Sequence, residues 1–294
     1  MEFSGMTGEQ KAWMILAGMG KAVSPLLLYI CMPSLCMALG YLLFHGEMSR
    51  AEFFRYGGNF YTAAGMACSL FLLYWRSSRR GESFCEDATL FPESFRAGRA
   101  ALFVLFGGAL SLFVSALITL GGAGTAGYRE SVAGLLEGPD LLFSVITVSL
   151  LSPLLEEVVF RGYMLNTMLR RFGLRRAVFG SAILFAICHV NPIWVLYAFP
   201  AGLLLAVLSI REDNILYGIF LHIGFNLPSA VLAVLYRANP EMRGRMDTAV
   251  LLALLFLTAG GMLWLLSGYF ERSVPELGRA AIRWGIKNFR GKRK

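Results

Sequence analysis

Charge is scarce in this sequence, and histidine is scarcer still. Charged residues make up 16% of the 294-residue chain and histidine occurs three times, whereas about 25% of residues in a soluble domain are charged. So few ionisable groups exclude a solvated globular surface for most of the chain. The five cysteines, Cys31, Cys36, Cys68, Cys85 and Cys188, form no CxxC pair and have no regular spacing. They read as small buried hydrophobes, which argues against a disulfide framework and against a catalytic thiol. Internal repeats, low-complexity tracts and a soluble domain are absent. The N-terminal MEFSGMTGEQ has neither a basic n-region nor a small-residue cleavage site, so no cleavable signal peptide is expected.

Apolar residues fill the space, at 56% of the chain against about 45–50% in ordinary domains. The excess is concentrated in long runs. Residues 99–120 carry no charge after Arg99, and residues 248–270 carry none. About 20 consecutive apolar residues suffice for a helix to cross the hydrocarbon core. The expected fold is therefore all-α, a polytopic transmembrane bundle of about eight spans. The spans fall near 22–44, 59–75, 99–120, 139–165, 177–190, 192–210, 214–236 and 248–270. Residues 9–20 are expected to form an interfacial helix ahead of the first span. Asn191-Pro192 breaks the chain after the fifth span and predicts a tight hairpin with the sixth.

The net charge of +8 does not point to nucleic acid, because the basic residues are grouped in particular loops. Residues 76–99 hold Arg76, Arg79, Arg80, Arg96 and Arg99, residues 170–176 read RRFGLRR, and the tail after 270 holds eight Lys or Arg. All three fall on one side of an eight-span chain. The positive-inside rule then puts both termini in the cytoplasm. The basic tail is either a surface helix on anionic lipid or a topology-fixing flank. An integral protein of a bacterial cytoplasmic membrane is expected. The chain divides into N-terminal spans (1–138), a polar-bearing core (139–236), and a last span with its tail (237–294).

That core interrupts its apolar runs at a few positions. Glu156 and Glu157 are adjacent within SLLSPLLEEVVFRGYML. An ionisable group near the bilayer centre costs about 2.5–3.5 kcal/mol on insertion scales, so these two need partners. Arg161 lies at i+4 from Glu157, which predicts an ion pair along the helix. Glu156, about 100° further round, has no partner of its own on that helix and is the glutamate free to act. His189 ends the fifth span, one turn after Phe185. His222 lies in the seventh span with Asn226 at i+4. Counting from the charged loops at 1.5 Å per residue, Glu156, His189 and His222 fall roughly 13–21 Å from one face. Three helices thus bring polar groups to a similar depth.

EExxxR, FxxxH and HxxxN, in this order on separate membrane helices, resemble the CAAX-protease and bacteriocin-processing family of intramembrane endopeptidases, which includes the type II CAAX prenyl endopeptidases. The resemblance covers about 139–236. It implies peptide-bond hydrolysis within the bundle, with Glu156, helped by His189, activating a water molecule. It gives His222 and Asn226 to the oxyanion, makes Glu157 and Arg161 supporting residues, and packs Phe185 against the site. The implied mechanism needs no cofactor; the alternative is a zinc ion on Glu156, His189 and His222, against which the lack of an HExxH pair argues. The implied partners are membrane lipids and a membrane-embedded or lipid-anchored peptide or protein substrate. A proton-coupled transporter and a non-enzymatic immunity or scaffold protein are the rival readings, since intramembrane Glu, Arg and His also build proton relays.

Overall fold

The computed structural model describes residues 7–91, 95–120, 141–239 and 258–261. These residues contain helices and no strand. The helices are α1 (Gly8–Phe44), α2 (Arg50–Arg79), the short α3 (Phe84–Asp87), α4 (Ala97–Leu120), α5 (Leu141–Phe172), α6 (Leu174–Ile187), α7 (Pro192–Glu212) and α8 (Leu216–Ala238). The chain is an integral membrane protein, and among the described residues four helices are long and apolar enough to cross a membrane: Leu16–Phe44, Ala97–Leu120, Leu141–Phe172 and Pro192–Glu212. A shorter apolar stretch, Leu216–Leu232, lies within α8.

Several expected boundaries move. Residues 9–20 are not a separate interfacial helix but the first turns of α1. A capping box fixes that start: Thr7 Oγ1 accepts from the Gln10 N–H, and Gln10 Oε1 accepts from the Thr7 N–H, leaving nothing to break the helix before residue 22. Pro25 lies inside α1 and cannot donate to the Lys21 carbonyl; the Ser24 hydroxyl donates there instead, at 3.2 Å. The stretch 59–75 belongs to the longer α2, whose first turns carry Arg50, Glu52 and Arg55, and that helix is not among the four apolar spans. The stretch 177–190 is α6, 14 residues long, or about 21 Å of rise, short of a bilayer core of about 30 Å. The stretch 139–165 extends to Phe172. The 121–138 loop, most of the 248–270 span and the basic tail lie outside the described residues.

Helix α5 is the axis of the bundle. Half of its apolar window is buried inside the protein, against 11% for α1 and 22% for α4. All residues from Leu155 to Asn166 are buried, so neighbours cover this part of the helix on every side. Two stretches of α5, Thr147–Leu151 and Val158–Leu165, are wound as wide π-type turns. Between them stands a regular α-helical piece, Ser152–Glu157. Such insertions are rare and recur at functional sites.

Small residues set how closely the outer helices approach. Helices α4 and α8 form the most extensive contact in the bundle. A Cβ at Gly107 would fall on the Leu221 carbonyl, and one at Gly224 on the Val104 carbonyl. This is how membrane helices pack when no hydrophobic effect drives them together. The α6–α7 hairpin is tight, as Asn191-Pro192 predicts: Val190 takes a positive φ of 61°, and Asn191 Oδ1 accepts from the Ile193 N–H at 3.0 Å. At one end of the bundle, buried Asp87 accepts from Ser77 Oγ at 2.7 Å and pairs with Arg80. Ser77 also bonds the Tyr163 hydroxyl at 2.9 Å, tying α2 and α3 to α5. All five cysteines are free.

The glycine crossing yields a prediction. Gly107→Ala puts a methyl group into the α8 backbone and should destabilise the protein by roughly 1–3 kcal/mol. Gly98→Ala, where nothing lies within 4 Å of the added carbon, should leave stability unchanged. Thermal unfolding of both variants in detergent checks this, and equal melting temperatures would contradict the packing.

Candidate active site

The buried piece of α5 puts both glutamates into the bundle. Glu157 and Arg161 are each 0% exposed. Arg161 Nη1 donates to Glu157 Oε1 at 2.8 Å across one helical turn, the ion pair that the i+4 spacing predicts. Arg161 also donates to the Gly202 carbonyl of α7 at 3.3 Å, and its guanidinium carbon lies 4.2 Å from the Phe185 ring centroid. Gly218 of α8 backs the pair: a Cβ there would stand 3.1 Å from Glu157 Oε2. Three helices therefore close on this ion pair, two of them at glycines.

Glu156 points differently. It lines a cavity of about 350 Å³ that Phe185, His189, His222 and Asn226 also line. The sequence-predicted set thus divides: Glu156, His189, His222, Asn226 and Phe185 face one cavity, and Glu157 with Arg161 is buried behind it. His222 joins the two parts. Its Nδ1 lies 3.0 Å from Glu157 Oε1, and its Nε2 lies 3.7 Å from Glu156 Oε2. With Glu157 ionised, Nδ1 is the nitrogen that carries hydrogen, because a carboxylate only accepts.

His189 bonds through Nδ1 to the Phe185 carbonyl at 2.8 Å. A carbonyl cannot donate, so the neutral ring has its hydrogen on Nδ1 and its lone pair on Nε2. Asn226 donates one amide hydrogen to the Val148 carbonyl at 3.0 Å, at the first π-type stretch of α5, which leaves its second amide hydrogen. The Phe185 ring lies at the centre of this group, 4.8 Å from His189 and 5.8 Å from His222 by centroid.

One expectation is corrected. Glu156 does have a partner on its own helix: Ser152, at i−4, donates its hydroxyl to Glu156 Oε1 at 2.5 Å. The i−4 spacing makes this contact readable from sequence, but serine is too common in membrane helices to draw notice there. The Tyr29 hydroxyl of α1 donates to the same oxygen at 3.1 Å. No sequence signal links Tyr29 to Glu156 across 127 residues. Among the described residues, Glu156 Oε2 is left buried and without a hydrogen-bond partner, as are Glu157 Oε2 and Arg161 Nε. Polar groups kept only for packing are normally satisfied; this cluster is not.

For zinc, the donor set is Glu156, His189 and His222. Among the described residues, no three His, Cys, Asp or Glu side chains converge as metal ligands.

Residues 138–228 match the family described as type II CAAX prenyl endopeptidase, Rce1-like. An uncharacterized 24.3 kDa protein of Escherichia coli is 32% identical over 89 residues, which is 29% of this chain and 41% of that protein. The chain thus matches less than half the length of that relative. No solved structure matches the chain significantly. Glu156, Glu157, Arg161, Phe185, His189, His222 and Asn226 all lie in the matched segment, and that segment is what the chain shares with the type II CAAX prenyl endopeptidase family.

Proposed function

We propose that the protein is an intramembrane endopeptidase that hydrolyses a peptide bond in a membrane-embedded or lipid-anchored protein or peptide. The observation that carries this reading is Glu156, a buried glutamate that lines a cavity with two histidines and an asparagine and whose Oε2 has no hydrogen-bond partner among the described residues. A general base needs an oxygen free to take a proton beside the bound substrate. Water attacks the scissile carbonyl carbon and gives a proton to Glu156 Oε2. The carbonyl oxygen becomes an oxyanion that accepts from the second Asn226 amide hydrogen and from the Nε2–H of His222 in its doubly protonated form, whose Nδ1–H stays on Glu157. Collapse of the intermediate breaks the C–N bond, and the proton held by Glu156 passes to the leaving amine. His189 Nε2, with its lone pair toward the site, accepts from the attacking water and orients it.

Each oxyanion donor is worth about 2.7–4 kcal/mol in known acyl-transfer sites, and a positioned base contributes about 10²–10⁴-fold. The mechanism is metal-free in this reading, which the failure of the acidic and histidine donors to converge supports. The basic residues grouped in 76–99, 170–176 and the tail support a topology with both termini in the cytoplasm. Similarity to an Escherichia coli protein supports a bacterial cytoplasmic membrane. A transporter would be expected to show repeat symmetry and broken helices in both halves. Here the ionisable site residues come from the second half of the chain.

Three outcomes are expected. Glu156→Gln should abolish cleavage while the protein stays folded in detergent, read as the mass shift of membrane substrates in cells with wild-type or variant protein; retained cleavage would overturn the assignment. Arg161→Met should act on the fold instead. Stranding Glu157 as a buried unpaired charge should cost about 3–5 kcal/mol, seen as a lower melting temperature that Glu157→Gln in the same chain largely restores. Dialysis against a strong chelator should leave the cleavage rate unchanged, and loss with recovery on adding zinc would favour the Glu156–His189–His222 metal site.

A further inference from the structure

The two oxygens of Glu156 are treated unequally. Oε1 receives two hydroxyl donors, Ser152 Oγ at 2.5 Å and Tyr29 Oη at 3.1 Å. Oε2 is buried and receives none among the described residues, and Glu156 lines the cavity. A carboxylate oxygen has about two lone-pair sites, so the two hydroxyls fill Oε1. Whatever proton Glu156 takes up must then go to Oε2, the oxygen 3.7 Å from His222 Nε2.

The two donors have different origins. Ser152 is fixed by helix α5 itself, one turn before Glu156. Tyr29 comes from α1, outside the family-matched segment, and its ring is held edge-on against Phe160, with centroids 5.8 Å apart. Tyr29 also lines the cavity. Its hydroxyl thus spans from the N-terminal helix to the carboxylate at the centre of the site.

We propose that Tyr29 is a positioning residue for Glu156: with Ser152 it occupies Oε1, fixes the carboxylate rotamer, and leaves Oε2 as the single oxygen that exchanges a proton. This rests on the reading of Glu156 as the general base. It makes α1 a working part of the site and not only a lipid-facing wall. Tyr29→Phe removes one hydroxyl and keeps the ring contact with Phe160, so the fold should survive.

The test has two arms on the full-length protein in detergent. In the first, infrared difference spectra of wild type and Glu156→Gln identify the carboxyl band of Glu156. That band should shift in Tyr29→Phe, shift in Ser152→Ala, and shift further in the double variant. An unmoved band in Tyr29→Phe overturns the proposal. In the second arm, a fluorophore–quencher peptide with a C-terminal farnesyl thioether, and the same peptide without lipid, are offered as probes. With whichever probe wild type cleaves, Tyr29→Phe should lower kcat roughly tenfold, the effect of losing one hydrogen bond to a charged group, and leave KM within about twofold. A lower melting temperature with kcat intact also overturns it, since Tyr29 would then be structural. If wild type cleaves neither peptide nor any cellular substrate, the peptidase reading is what fails. The infrared arm still decides whether Tyr29 holds Oε1.

Discussion

The Glu157–Arg161 pair is the constraint around which the bundle is arranged. Two charges stand with side-chain exposures of 0% and 1% in the middle of an apolar helix. Their attraction in a low-dielectric interior offsets the loss of water only when further polar contacts help. The helices that surround them supply these contacts. The Gly202 carbonyl of α7 takes one guanidinium hydrogen, the Phe185 face of α6 takes the cation, and His222 of α8 bonds the carboxylate. The glycine at 218 lets the α8 backbone come close to Glu157, and the glycine at 202 lets α7 close on Ala182 and Phe185 of α6. The ion pair therefore sets where three neighbouring helices dock, and with them where His189, His222 and Asn226 stand.

Helix α5 also has to bend its own geometry to this task. Its α-helical piece Ser152–Glu157 is flanked by wide turns on both sides. The regular piece keeps Ser152 and Glu156 one turn apart, close enough for the 2.5 Å bond. The wider turns rotate the flanking residues away from ideal register. The first ends against Asn226, which bonds the Val148 carbonyl. The second carries Arg161 and the fully covered ring of Phe160. The helix thus presents the two glutamates in opposite senses, one into packed protein and one into a cavity.

What the sequence made legible was whatever follows from contacts within one helix or from long apolar runs. Glu157–Arg161 and the His222–Asn226 face are i+4 relations, and Asn191-Pro192 is a local break; all three stand in the structure as their spacing predicts. Ser152 obeys the same rule, but a serine hydroxyl carries no charge and so lacks the signal that Arg161 gives beside Glu157. Contacts between helices were not legible. Nothing in α1 marks Tyr29 among its apolar neighbours, and Gly107 and Gly224 read as ordinary glycines until their helices cross. Span length misled where polarity was gradual: α2 runs through Arg50, Glu52 and Arg55, and α6 is simply too short to match the hydrophobic pattern that suggested a crossing.

The distribution of partners also supports the proposal that Glu156 is the base and Glu157 is not, although both are buried on the same turn. Glu157 is locked by a guanidinium and an imidazole, so protonating it would strand Arg161 as a buried unpaired charge. Glu156 has no cation bonded to it. Hydroxyl groups hold its Oε1, and they can keep donating to that oxygen whether or not Oε2 carries a proton. Such partners permit a change of charge at Glu156 without loss of the hydrogen bonds that orient it. A base that must gain and lose a proton in each turnover needs this kind of environment. In the proposed mechanism the ion pair behind it holds the site in place, and the hydroxyls of Ser152 and Tyr29, both on Oε1, leave Oε2 to react.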